Sequence, residues 1–302
     1  MNILYLDLAK DVCTCNNNCI FCASGPRERN LGTMDTERFK LELRRHSKET
    51  EAIFTANGGE PTIRSDVTEL LSYANELCYK RIHLESNGRM FFYPEFTKEV
   101  VNSGCNAVSI ALHAQNAELH DKITMTPGSF KQTVQGIKNL LVYRDKLYIE
   151  ITILFHKLNY KHLPAIAKFI SKEFEGIHNV VLLPVDLAGT SEINKKKLFV
   201  RITALKPYLH RGLAVLEKNN MQFSLHHMPF CVIDKQYWKN IAERNVEGGL
   251  ITCLPPPKSA SGCFCTIFES CDKCILKERC PGTWRSYTFR AGVDEFKPIK
   301  SV

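Results

Sequence analysis

The sequence predicts an α/β fold: a partial (β/α)6 barrel followed by a small cysteine-rich metal-binding domain in a chain of 302 residues. Two patterns carry that expectation. Across residues 1–185, short apolar runs alternate with amphipathic helical stretches, the sequence form of a parallel sheet with crossover helices. From residue 225 onward the periodicity fades, and seven of the thirteen cysteines gather there with the run Pro255-Pro256-Pro257.

Taken in order, the expected strands are 3–8, 52–56, 81–86, 106–112, 148–155 and 179–184. Expected helices lie near 36–48, 65–79, 95–103, 129–143 and 161–174, with a further helical stretch at 196–218. The helix at 129–143 has the clearest pattern: Phe130, Val134, Ile137 and Leu141 recur at helical spacing, and Ser129 with Gln132 reads as a capping box after Pro127-Gly128. Gly104 is expected to cap the preceding helix. Six strand-helix units are too few to close an eight-stranded barrel and suit an open three-quarter barrel. The expected division is a barrel core over 1–222 and a cysteine-rich domain over 223–302.

Composition narrows the class. A chain that is 44% hydrophobic and 24% charged buries a large core. No apolar run approaches the roughly 20 residues of a membrane span, and the N-terminus turns acidic too early for a signal peptide, so a cytoplasmic location without a membrane partner is expected. Cysteine clustering at 13–22 and 253–280 favours metal or iron–sulfur ligation over a disulfide scaffold. The net charge of +8 is spread along the chain, and its densest run, Lys195-Lys196-Lys197, reads as a solvated face. Aromatic and basic residues do not interleave as single-strand binding requires, so nucleic acid is not an expected partner.

In parallel barrels, reactive groups gather in the loops after the strands. Here Cys15, Cys19 and Cys22 of CNNNCIFC follow strand one, Asn57-Gly58-Gly59-Glu60-Pro61 follows strand two, and Ser86-Asn87-Gly88 follows strand three. His113 ends strand four, His156 and Asn159 follow strand five, and Pro184-Val185-Asp186 follows strand six. One mouth therefore collects them. Three thiolates at this spacing can hold three irons of a [4Fe–4S] cube and leave the fourth iron open for a small molecule.

The CxxxCxxC triplet, with Phe21 immediately before its third cysteine, resembles the signature of the radical S-adenosylmethionine (radical SAM) superfamily, whose core is a partial TIM-like barrel. The resemblance implies that the open iron chelates S-adenosylmethionine and that a reduced cluster cleaves it to methionine and a 5′-deoxyadenosyl radical, which abstracts a hydrogen atom from substrate. It further implies that Gly58, Gly59, Glu60 and Pro61 meet the methionyl amino group, with Glu60 either accepting directly or only fixing the loop. Ser86 and Asn87, with Ser109 and Asn159 as further candidates, match the ribose-contacting positions. Phe21 lines the adenine pocket, which the backbone around Leu182-Leu183 closes. Outside the implied site, His113 reads equally as a substrate contact or a core histidine; His120 and Asp121 read as barrel support, Arg27 and Arg29 as surface, and Cys13, Cys78 and Cys105 as inert thiols.

The segment CDKCILKERC places Cys271, Cys274 and Cys280 in a CxxCxxxxxC pattern that resembles SPASM/Twitch extensions, which carry auxiliary [4Fe–4S] clusters. Trp284 stands where the full pattern has a further cysteine, which favours one auxiliary cluster, its fourth ligand being Cys231, Cys253, Cys263 or Cys265; structural zinc is the alternative. Three functions follow as expectations. One is oxidative modification of a peptide or protein. A second is the same chemistry on a small metabolite or nucleoside, and the third is a non-catalytic iron–sulfur or zinc sensor or scaffold. The chain opens directly at strand one, where peptide maturases often carry a leader-binding extension, and this weakens the first. An electron donor such as a flavodoxin or ferredoxin is the further partner implied.

Overall fold

The computed structural model describes residues 3–7, 15–23, 35–47, 51–55, 59–242, 251–254, 265–266 and 268–301. Strand and helix alternate from the start: β1 (Ile3–Asp7), α1 (Thr36–Arg45), β2 (Glu51–Thr55), α2 (Val67–Glu76), β3 (Arg81–Ser86), α3 (Pro94–Asn102) and β4 (Ala107–Ala111). Next come α4 (Ala117–Thr124), α5 (Ser129–Leu141), β5 (Tyr148–Phe155), α6 (Leu163–Glu173) and β6 (Asn179–Pro184). Three helices follow, α7 (Thr190–Ile193), α8 (Lys195–Leu198) and α9 (Ile202–Lys218), and then β7 (Phe223–Leu225), β8 (Ile251–Leu254), β9 (Cys265–Thr266), β10 (Thr283–Trp284) and α10 (Arg285–Ala291). Strands β1 to β8 form one wholly parallel sheet in the order β7-β6-β5-β4-β3-β2-β1-β8. All eight C-terminal ends therefore share one edge, and the six expected strands form its centre.

Alternation along β5 shows why the sheet has two characters. Ile149, Ile151, Ile153 and Phe155 are buried and join the core with Leu163, Ile166 and Ile170 of α6, whereas Tyr148, Glu150, Thr152 and Leu154 between them stay half-buried. On that second face a polar chain crosses five strands. His83 bonds Ser109 at 2.7 Å, Ser109 donates to Glu150, and Asn179 donates to both Glu150 (3.4 Å) and Ser224 (3.1 Å). Beyond residue 222, where the sequence predicts a second domain, the chain returns to both sheet edges as β7 and β8, and Leu276, Tyr287 and Phe296 bury in the same core as α9. Among the described residues, no helix is long and apolar enough to cross a membrane.

The start of α5 corrects one expectation. Ser129 does not form a capping box. The Asp121 carboxylate, at the end of α4, accepts the Gly128 and Phe130 backbone N–H groups at 2.6 and 2.8 Å. Ser129 is fully buried and donates to the same carboxylate at 2.9 Å. A left-handed turn at Met125 (φ 52°) brings the acid there, and a full negative charge on free helix N–H groups outcompetes a neutral hydroxyl. Gly104 fulfils its expected role, ending α3 with φ 90° and its N–H on the Val101 carbonyl (3.2 Å).

Candidate active site

The cysteine loop after β1 is held by other strand-end segments. The Asn87 side chain donates to Asn16 Oδ1 (2.7 Å) and to Cys15 Sγ (3.7 Å). Arg89 donates to the Asn16 carbonyl and to Asn17 Oδ1 (3.1 Å), while its Nε is fixed by Gln132 of α5 (2.6 Å). The N–H groups of Asn18 and Ile20 reach the Thr124 and Ile123 carbonyls at 2.9 and 3.0 Å, at the end of α4. On the other side, the Ser191 N–H donates to the Cys22 carbonyl (3.1 Å) and Asn194 Nδ2 to the Ile20 carbonyl (3.2 Å). Cys15, Cys19 and Cys22 are half-buried thiols on a frame fixed from both sides.

Glu60 explains how β2 and β3 keep their loops together. It is only 3% exposed, and its Oε1 accepts the Thr62 N–H (3.1 Å), the Thr62 hydroxyl (2.5 Å) and the Ser86 hydroxyl (2.7 Å). Oε2 accepts the Asn87 N–H at 2.7 Å. Burial pushes the carboxyl above the usual range, and these four donors oppose the shift. These bonds join the loop after β2 to the loop after β3. Pro61 is buried beside it and Gly59 half-buried; Gly58 lies outside the described residues. Ser86 is engaged inside the same network, since its hydroxyl also accepts the Gly88 N–H at 2.9 Å.

Phe21 packs edge-on against His113 (ring centroids 4.6 Å apart) and tilts against His156 (5.7 Å). With Ile20 it rests on Val185, Leu187 and Leu198, an apolar wall that follows β6. His113 and His156 each accept a backbone N–H at Nδ1, from Leu154 (3.3 Å) and Leu158 (3.2 Å). Burial holds His113 well below the usual histidine range and pushes His156 down to about 3; His120 is driven to about 4, Asp121 opposing the shift. These imidazoles are therefore neutral. Asn159 is fully buried: its amide donates to the His113 and Leu154 carbonyls (both 3.0 Å) and accepts the His156 N–H (2.8 Å), tying the ends of β4 and β5 together. Ser109 sits within the polar chain across the sheet.

Sequence reasoning passed over Arg89 and the Thr124 and Ile123 carbonyls. The run Asn16-Asn17-Asn18 needs donors and acceptors, and an arginine one residue past Ser86-Asn87-Gly88 was the available signal.

Four further thiols meet elsewhere. Cys231, Cys271, Cys274 and Cys280 line one apolar pocket with Phe230, Phe268 and Phe296. Burial, with the neighbouring thiols, pushes Cys231 up to about 12, and burial also raises Cys280. Of the other expected ligands, Cys253 lies in β8 and Cys265 in β9, both without described side chains, and Cys263 lies outside the described residues. Cys105 is buried with its thiol pushed up to about 12, in keeping with an inert role; Cys78 is exposed, and Cys13 lies outside the described residues. Among the described residues, no group of three or more His, Cys, Asp or Glu side chains is set to hold a single metal ion, the triplet included. In both places the clustered donors are sulfur, the donor chemistry that an iron–sulfur cluster takes, and the second set lines a pocket.

The curated relatives include an AdoMet-dependent heme synthase of Methanosarcina barkeri, 30% identical over 127 residues, covering 42% of this chain and 36% of that protein. The mycofactocin maturase MftC of Mycobacterium ulcerans is 31% identical over 128 residues, covering 42% and 33% respectively. The matched stretches span well under two thirds of those relatives' lengths. In fold, the chain is similar to Streptococcus suis SuiB bound to its precursor peptide SuiA, with a TM-score of 0.60 at 14% identity over 74% of this chain and 48% of that one. The model of the Radical SAM superfamily matches residues 12–170, more than half of the chain, a stretch that includes Cys15, Cys19 and Cys22; the chain belongs to the Radical SAM superfamily.

Proposed function

We propose that this chain binds a [4Fe–4S] cluster on Cys15, Cys19 and Cys22, cleaves S-adenosylmethionine reductively, and takes a hydrogen atom from a peptide or protein substrate. The observation that carries the reading is the cysteine loop braced by Asn87, Arg89, Ser191 and Asn194, so that the thiols are positioned by the fold. When bound, the cluster and S-adenosylmethionine supply the radical chemistry. The chain's own groups position and exclude water. Phe21, with Val185 and Leu187 behind it, offers an apolar surface for the adenine, while Asn87 reaches the cysteine loop directly through its side-chain amide. Glu60, Ser86, Ser109 and Asn159 keep their polar atoms engaged within the protein and act through the frame.

Similarity to MftC, named a maturase, and the fold shared with a structure holding a precursor peptide support the peptide reading. Similarity to a heme synthase supports the second, the same chemistry on a small metabolite. An auxiliary cluster on Cys231, Cys271, Cys274 and Cys280 belongs to either reading, and four protein thiolates make it an electron carrier with no free iron. The test is anaerobic reconstitution, iron and sulfide analysis, and incubation of the reduced protein with S-adenosylmethionine. Formation of 5′-deoxyadenosine, lost on replacing Cys15, Cys19 and Cys22 together by alanine, is expected. An intact cluster that yields none would leave the sensor or scaffold reading. Mass shifts in a neighbour-encoded short peptide or in a metabolite extract separate the two substrate classes.

A further inference from the structure

The segment that braces the cysteine loop from the β6 side also carries the densest positive charge in the sequence. Helices α7 and α8 expose Lys195, Lys196 and Lys197, and Lys157 joins them from the end of β5, its backbone N–H on the Leu198 carbonyl (2.8 Å) and its ammonium on the Lys196 carbonyl (3.3 Å). The acid among them, Glu192, is engaged by both Lys195 (2.9 Å) and Arg290, which leaves the face strongly cationic. Ile193 stands 67% exposed in the midst of these charges. From this face to the proposed cluster is a short bonded route, because Ser191 donates to the carbonyl of Cys22 itself and Asn194 to that of Ile20.

We infer that this face is the docking surface for a small acidic one-electron carrier protein that reduces the cluster held by Cys15, Cys19 and Cys22. The inference rests on the proposed reductive cleavage, which consumes one electron per turnover that the protein itself does not supply. In the step at this surface one electron leaves the carrier, a reduced flavin or iron–sulfur protein, which is oxidised by one equivalent. The cluster is reduced by one, and no atom is transferred. Exposed lysines close in sequence to an exposed apolar side chain are complementary to an acidic rim around an apolar redox edge, and they accelerate encounter through long-range attraction. The bonds of Ser191 and Asn194 to the cysteine loop favour the carrier, which needs nearness to the cluster; an acidic peptide is the other outcome of the test.

The experiment follows cluster reduction by stopped-flow absorbance in the reconstituted wild-type protein and in the Lys195→Glu, Lys196→Glu, Lys197→Glu triple variant. Each is reduced by flavodoxin hydroquinone, by reduced ferredoxin and by dithionite. The wild-type rate with either carrier is expected to fall as salt rises, and the variant to react at least about tenfold more slowly with them. Dithionite, a small anion, should reduce both proteins to the same final extent, which shows the variant folded and its cluster intact. The corresponding triple replacement by glutamine should fall between. Carrier rates equal in wild type and variant would overturn the docking surface even if an acidic peptide bound there. A wild-type cluster that dithionite cannot reduce, or whose reduction leaves S-adenosylmethionine intact, would remove the reductive-cleavage reading itself.

Discussion

Glu60 accepts the backbone N–H of Asn87 at 2.7 Å, so a buried carboxylate on the loop after β2 sets the position of the loop after β3. Its other oxygen is filled by Thr62 and Ser86. Replacing Glu60 by glutamine keeps the shape but turns an amide donor toward one of these donors. A buried N–H or hydroxyl left in that state costs about 1–3 kcal/mol. Glu60→Gln is therefore expected to lower the unfolding midpoint and weaken S-adenosylmethionine binding, measured by thermal denaturation and equilibrium titration. A variant equal to wild type in both would show that the carboxylate does not organise the Asn87 loop.

The same loop is gripped from behind by α5. Thr133 donates to the Asn87 carbonyl at 2.9 Å, and a Cβ built on Gly136 would lie 2.3 Å from the Gly88 carbonyl oxygen and 3.1 Å from Phe91 Cβ. Alanine in a helix interior gains about 1 kcal/mol over glycine, but here the obstacle is backbone, and overpacking of this kind costs about 1–3 kcal/mol. Gly136→Ala should thus be net destabilising in a urea melt. It should also weaken S-adenosylmethionine binding by displacing Asn87 and Gly88. A stabilised variant with unchanged binding would mean that the loop yields freely.

How much of this was readable beforehand depended on the range of the interaction. The six central strands follow from apolar runs that the local sequence contains in full, and all six stand where expected. β7, three residues long, is too short to show a period, and β8 interrupts a stretch dominated by cysteines and prolines. The motif positions were legible as residue types but their hydrogen-bond allegiances were not. Ser86, Ser109 and Asn159 resemble ligand contacts in sequence, and the bonds they make within the protein, to Glu60, Glu150 and the His113 carbonyl, involve partners that only the fold brings near. The mistaken capping box has the same origin: Asp121, eight residues before Ser129, reaches it only through the left-handed turn at Met125.

Acid should unfold the protein partly through its buried imidazoles. His156 is pushed down to about 3 by burial, and His120 to about 4 by burial that Asp121 partly offsets. The unfolded chain titrates near the ordinary value of about 6.5 and binds these protons first. Their contribution is thus full above about pH 6.5 and is lost as pH falls through that value toward 4 and 3, each group reaching a slope of about 1.4 kcal/mol per pH unit. His156→Asn, whose side-chain oxygen can still accept the Leu158 N–H, should show a shallower acid slope between about pH 7 and 5 in chemical denaturation. Identical slopes would mean that protons reach His156 in the folded state.

Cys231 stands 40 residues before Cys271, on a tight turn at Phe230–Val232, and reaches the pocket of Cys271, Cys274 and Cys280 only through the fold. Burial beside three other thiols holds its proton tightly, its value pushed up to about 12. A bound metal reverses that preference, because each metal–thiolate bond displaces a proton and offsets the cost of gathering negative sulfurs in an apolar wall. Cys231→Ser should therefore lose about four irons per chain from the reconstituted protein while the cluster on Cys15, Cys19 and Cys22 remains. Cys78→Ser, at an exposed thiol outside the pocket, should lose none. Full iron retention with an unchanged cluster spectrum in Cys231→Ser would remove Cys231 as the fourth ligand. Loss of about four irons with unchanged 5′-deoxyadenosine formation under dithionite would place the second cluster downstream of cofactor cleavage, in the electron path from the substrate.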